Sequence, residues 1–223
     1  MAANTTSSSV IEGIGGDGFT QIIASTIAAN QIAGPNVLET SNDVTLSRLI
    51  IDQPGKTTLH KTGGTLTADY ILSSAEIASL AGVPHTLQAN PRFFDGDYGD
   101  WSLQASSPAV DFAPADASAP VDIGGAARDV NLAYKSNLFG PRDLGVAERQ
   151  ALQPLVRNAD FDFDLHLWTY YAGTRDATSN ATGAAGSGSW KYSASSANGT
   201  HVLVAQQCVF LPGPGSYVIN GWG

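Results

Sequence analysis

Short stretches that alternate small, polar and β-branched residues recur along the first third of the chain, and their spacing carries more information than any one of them. Ser25-Thr26-Ile27-Ala28-Ala29-Asn30 can be laid over Leu49-Ile50-Ile51-Asp52-Gln53 at an offset of 24, and over Tyr70-Ile71-Leu72-Ser73 at a further offset of 21. Turn-rich pieces, Ala33-Gly34-Pro35-Asn36 and Thr62-Gly63-Gly64, separate them. A period of about 20–30 residues built on short strands indicates a solenoid, and one coil of a parallel β-helix falls in that range. The pattern predicts strands at 22–28, 45–51 and 65–72, with an inward row of Ile22, Ile27, Leu46, Ile51, Leu66 and Leu72 buried between successive coils. About three coils are visible, near the lower limit for stability, and the upstream edge needs a further coil to cover it. A helix over 20–31 is the competing reading, because the stretch holds several Ala. The β-branched residues Ile22, Ile23, Thr26 and Ile27 and the flanking Gly clusters favour a strand. Residues 74–82 read as a short helix or turn leaving the last coil, with Ser74 as its cap and Gly82 as its stop.

Residues 86–111 return to a strand and stop the solenoid. Asn90-Pro91 fixes an extended approach, since the residue before proline is pushed out of the α region. Phe93, Phe94 and Trp101 are large enough to cover an open core end. Asp95, Asp97 and Asp100 lack the glutamate and ligand order of a calcium hand and read as a turn. Ser107-Pro108 with Asp111 reads as a turn with a capping carboxylate. From Ala113 to Pro120 the chain is mostly Ala, Pro, Asp and Ser, the composition of an extended strap. Taken in order, Asn90-Pro91-Arg92-Phe93, Gly99-Asp100-Trp101-Ser102-Leu103, Ser107-Pro108-Ala109-Val110-Asp111, Asp122-Ile123-Gly124-Gly125 with Arg128, and Asp143-Leu144-Gly145-Val146-Ala147-Glu148 form a series of fixed spacings. The series resembles the C-terminal end of secreted bacterial right-handed parallel β-helix repeat proteins, the choice-of-anchor Q type of ending. The resemblance covers roughly residues 86–149. It implies a segment that closes the last coil and a strap packed along the coils, in which Arg128, Arg142 and Asp143 act through ion pairs or hydrogen bonds. It carries no reaction with it. Where that family usually has glycine after the aspartate, this chain has Phe112.

Beyond Pro154 the character changes again. Leu155-Val156-Arg157-Asn158-Ala159-Asp160-Phe161-Asp162, with Trp168 seven residues after Phe161, resembles the opening of jelly-roll β-sandwich modules of the carbohydrate-binding type. Gly188-Ser189-Trp190-Lys191-Tyr192, Gln206-Gln207-Cys208-Val209 and Pro214-Gly215-Ser216-Tyr217 fit its next strands and turn. That resemblance implies sugar stacking on exposed aromatics, for which Trp190, Tyr192, Trp168 and Trp222 are the candidates. Core filling is the alternative for Trp168 and Trp222, which leaves Trp190 as the better exposed of them. Asn158 and Asp160 are candidates for a structural calcium, with strand-start capping as the alternative. Modules of this kind usually need about twice the residues present here.

Composition narrows the function. Of 223 residues 14% are charged, and the net charge of −9 argues against nucleic acid or an anionic membrane surface as partner. No run approaches the roughly 18 apolar residues of a membrane span. Cys208 is the single cysteine, which excludes an internal disulfide, and it reads as a small buried strand residue. The N-terminus lacks the charged and apolar regions of a secretory signal. A protein of extracellular kind without one reads as a fragment of a longer precursor. No nucleophile elbow, phosphate loop or His-Glu-x-x-His motif occurs. Asp43, Asp52 and Asp69 are dispersed, and His60, His85, His166 and His201 are isolated in sequence. No catalytic residue emerges, and no cofactor apart from that structural calcium.

The expectation is therefore an all-β chain: terminal coils of a short right-handed parallel β-helix over 1–111, a closing strap over 112–153, and an incomplete antiparallel jelly-roll sandwich over 154–223. Its expected role is binding or display at the cell surface or outside the cell, with polysaccharide or another glycan as ligand. The alternative is part of a polysaccharide lyase or glycoside hydrolase whose active cleft lies on other coils.

Overall fold

Aliphatic and β-branched residues too densely placed for a one-sided strand dominate 26–28, 49–51 and 71–72, and these segments lie in a sheet covered on both faces. The computed structural model describes the chain except residues 1–4, 7–8, 14–17, 97–98, 134, 151–154, 157–158, 160, 162–164, 166–167, 171–172, 180–187, 192–204, 210, 212–215 and 219–223. It is all-β, with a 3-10 turn at Ala78–Leu80. Two compact units, Met1–Gln153 and Pro154–Gly223, divide the chain.

In the first unit, Phe19–Ile23 and Thr26–Ala28 both pair with Asp43–Asp52, which pairs with Leu66–Ser73, which pairs with Thr86–Gln88, and every pairing is parallel. A second parallel sheet joins Ile11–Gly13, Asn36–Thr40 and Thr57–Lys61. Parallel neighbours require a crossover of a dozen residues or more. The strands of each sheet supply the crossovers of the other.

Register fixes what the sequence offsets meant. Ile27 stands beside Ile51, the offset of 24 expected. Leu49 stands beside Ile71, so the second offset is 22, one more than the 21 read from the sequence. The reason lies at the corners. Arg48 and Tyr70 both have left-handed backbone, φ 57° and 54°, and aligning Tyr70 with Leu49 would set a corner against an extended residue. A one-residue slip moves every side chain to the other face. Ile22, Ile27, Leu46, Ile51 and Leu66 do belong to the interior cluster, with Leu49 and Ile71. Leu72 instead joins Ala28 and Ile50 on the opposite face, beneath Val110 and, from the strap, Phe112, Leu132 and Leu144.

The excursion after the last strand also differs from expectation. The 3-10 turn is entered at Ile77 without a side-chain cap, because the Ser74 hydroxyl donates to Asp52 Oδ1 at 2.6 Å, binding one coil to the next. Gly82, at φ 82°, does follow it. Phe93–Asp95 and Asp100–Leu103 then form an antiparallel hairpin, where Phe93 meets Trp101 edge-on at 5.2 Å over the core end.

Asp111 does not cap a turn with its carboxylate, which is fully buried; its N–H donates to Asp143 Oδ1 at 2.8 Å. Asp111 itself takes the left-handed conformation, φ 54°, so Phe112 is free to bury its ring where the resembled family has glycine. Gly145 seats the strap on the coils. Its N–H donates to the Arg48 carbonyl at 3.1 Å, its φ is 82°, and a Cβ there would stand 2.4 Å from Thr26 Oγ1.

In the second unit Thr169–Tyr170 pairs with Ala205–Gln206 and Thr174–Asp176 with Ser189–Lys191, both antiparallel. Cys208 is exposed, contrary to the buried strand position expected for it. It lies beyond the end of the two-residue strand Ala205–Gln206, where no pairing carries it inward.

Candidate functional site

Ala24, Arg48, Tyr70 and His85 occupy equivalent corners of successive strands, each with φ between 46° and 57°. A bulky residue held there costs on the order of 1–3 kcal/mol, so such corners persist only where packing enforces them. Their side chains leave the flank of the first unit one above another. Parallel strands lie about 4.8 Å apart. Tyr70 and His85 accordingly stack face to face, centroids 4.5 Å apart and planes 4° from parallel. Phe139, from the strap, meets His85 edge-on at 4.4 Å and Tyr70 at 5.9 Å.

Around this stack the charges are paired. The His85 imidazole and Asp69 Oδ1 share a hydrogen bond of 2.6 Å through Nδ1, and the same oxygen accepts the Tyr70 N–H at 2.9 Å. Arg48 donates to Asp116 of the strap. The Ser118 hydroxyl and N–H, with Arg48 behind them, lower the Asp116 carboxyl to about 2. Burial, and then the Asp69 charge, raise the Tyr70 hydroxyl above its ordinary value, so it keeps its proton. Ser47, Arg48, Asp69 and Tyr70 from two coils, with Pro114, Ala115 and Asp116 from the strap, line an open pocket of about 270 Å³.

A second concentration of charge lies within the strap and faces inward. Arg142, fully buried, donates through Nε to Asp129 Oδ1 at 2.6 Å and through Nη2 to the carbonyls of Asp116 and Ala119 at 2.7 and 2.8 Å. Arg128 donates to the Gly145 and Val146 carbonyls at 3.0 and 2.8 Å. Asp143 accepts from the N–H groups of Asp111 and Arg149, and Glu148 from those of Val130 and Asp143. Burial, then the Glu148 charge, push Asp143 up to about 8; burial raises Glu148 as well. These groups tie the strap to itself and to the coils. Arg142, Asp143 and Glu148 are buried away from solvent.

The aromatics singled out in the second unit are dispersed. Trp190 is half-buried, with its indole nitrogen end against Gly173, where a Cβ would lie 2.3 Å from Nε1. Trp168 is half-buried and tilted against Phe161 at 5.2 Å. Tyr192, Trp222, Asn158 and Asp160 lie outside the described residues. Tyr170 and Tyr217 are the aromatics more open to solvent, at 48% and 40% exposure.

His60 pairs with Glu39 at 3.1 Å on an exposed strand. The cluster of Arg48, Asp69, Tyr70 and His85 was not legible as a site, since its three corner residues are separated by 22 and 15 residues along the chain. The signal that finds it is the register, which sets one of the three larger side chains at each successive corner. Among the described residues no three His, Cys, Asp or Glu side chains converge as a metal site, and no helix is long and apolar enough to cross a membrane. Comparison with protein-family models, with curated proteins and with solved structures finds no match.

Proposed function

We propose that the first unit comprises terminal coils of a right-handed parallel β-helix closed by a strap, and the second the start of an antiparallel jelly-roll sandwich of the carbohydrate-binding kind. We further propose that the chain belongs to a secreted or surface-attached repeat protein whose role is binding or display, with glycans as its ligand class. The observation that carries this reading is the stacking of parallel strands at offsets of 24 and 22 with a left-handed corner in every layer. Such stacking makes a quasi-one-dimensional scaffold with long lateral surfaces, suited to holding extended polymers or presenting a terminal module. Trp190, Tyr192 and Trp168 are the residues proposed to meet sugar in the second unit.

A catalytic reading has one observation in its favour. An imidazole held by a carboxylate beside a tyrosine, as in His85, Asp69 and Tyr70, is an arrangement that moves protons in many active sites. One experiment separates the two. The full chain is passed over a panel of insoluble polysaccharides while the supernatant is assayed for new reducing ends and unsaturated uronates. Retention without product, weakened by Trp190→Ala, is the expected result. Product formation that disappears in His85→Ala would replace the binding reading by the catalytic one.

A further inference from the structure

We infer that the corner pocket of the first unit is a binding site for a neutral, polyhydroxylated ligand, one ring of an uncharged glycan, separate from the aromatics of the second unit. This rests on the glycan-binding reading above but concerns a different surface.

Three features converge. The pocket is built jointly by coil and strap, so its walls are fixed by the same contacts that close the fold. At about 270 Å³ it falls just below the roughly 300–1,000 Å³ typical of small-molecule sites, a size for one sugar ring rather than a larger ligand. Its polar groups retain hydrogen-bonding capacity of both signs. Asp69 Oδ1 is taken by His85 and Tyr70, and among the described residues Oδ2 is not. Arg48 donates through Nη1 to Asp116. Ser47 and Tyr70 add hydroxyls that both donate and accept. Carboxylates held in place by other partners accept from sugar hydroxyls through charge-assisted bonds, with little ordering left to do on binding.

The same inventory excludes other ligands. A phosphate or uronate needs an unbalanced cation, and here Arg48 is neutralised by Asp116 while Asp69 adds a further negative charge. An extended peptide needs a strand edge or a long groove rather than a ring-sized hollow.

The test is calorimetric titration of the full chain with cello-, laminari-, manno- and xylohexaose and, as the acidic counterpart, hexagalacturonate. Binding of at least one neutral hexaose, weakened tenfold or more by Ser47→Trp, which fills the hollow, and by Asp69→Asn, which removes the acceptor charge, is the expected result. Circular dichroism melting of both variants identifies any that has lost its fold. Should one do so, the other decides. Binding unchanged in a folded Ser47→Trp overturns the assignment. Binding lost only in Trp190→Ala overturns it too, while leaving the second-unit reading intact. Absence of binding by any neutral hexaose overturns it whatever the polysaccharide panel shows, and hexagalacturonate as the preferred ligand overturns the charge argument on which it stands.

Discussion

The coils and the strap that lies along them are held by opposite chemistry. The coils bury Leu46, Leu49, Ile51 and Ile71, and where polar groups enter, at Thr58 and Ser73, the two hydroxyls pair with each other at 2.8 Å. The strap buries Arg142, Asp143, Glu148 and Arg149. In the parallel sheets the inner strands find backbone partners on both sides, and their side chains need only fill space. The strap has almost no ladder to follow; its isolated bridges are Ala113 with Arg142 and Val121 with Ala127. Its backbone N–H and carbonyl groups therefore need side-chain partners, and charged groups meet several at once. Apolar repetition builds length, whereas buried charge fixes one path across a surface that offers no repeat.

The largest test of this contrast is Arg142→Ala. It strands Asp129 and two strap carbonyls and should destabilise the first unit by about 3–5 kcal/mol, the usual cost of breaking a buried pair. Leu46→Ala in the coil interior should cost about 3 kcal/mol through cavity formation. Urea unfolding followed by amide exchange over 26–73 and 111–149 separates the two. Arg142→Ala should open the strap at denaturant concentrations where the coils remain closed, while Leu46→Ala should lower both together. Simultaneous loss in both variants would show that the strap has no independent hold.

Gly145→Ala probes the seam between them. A methyl group there meets Thr26 Oγ1 and Ile50 Cδ1 as well as an unfavourable φ, for an expected cost of about 2 kcal/mol. A melting temperature equal to that of the unaltered chain would contradict the described seating.

Stability also depends on pH. In the unfolded chain Asp143 releases its proton near about 3.9, and in the folded chain it keeps it until about 8. The folded state therefore binds more protons across that interval, and stability falls as pH rises from about 4 to 8. Below that interval Asp116 acts in the opposite direction, its contribution being lost as pH falls through about 2. Stability of the first unit should therefore peak on the acidic side of neutrality, and Asp143→Asn should flatten the decline from pH 5 to 8. A rise in stability over that range would contradict the buried-proton account.

Much of the parallel sheet was readable because its strands lie at nearly constant offsets along the chain. The offset of 24 between Ile27 and Ile51 is a register, and Ile22, Leu46 and Leu66 pointed inward as expected. The misplacement of Leu72 came from an offset short by one, and no hydrophobic pattern could have corrected it, because 49–51 and 70–72 are apolar on both faces. Only the left-handed corners at Arg48 and Tyr70 set the alignment, and neither residue type announces that conformation. Arg128, Arg142 and Asp143 were named as strap residues through the family resemblance, and they do make the bonds that tie the strap. Asp69 and His85 looked unrelated because their meeting depends on a crossover between coils.

In the reading proposed above, the parallel strands and the strap together form a binding surface on the first unit. Amide hydrogen exchange of the full chain, with and without the neutral hexaose that binds most tightly, tests it most directly. The account predicts slowed exchange at residues 47–49 and 69–71 and at 115–118 in the same titration, with a common midpoint. Slowing confined to residues 154–223 would contradict it.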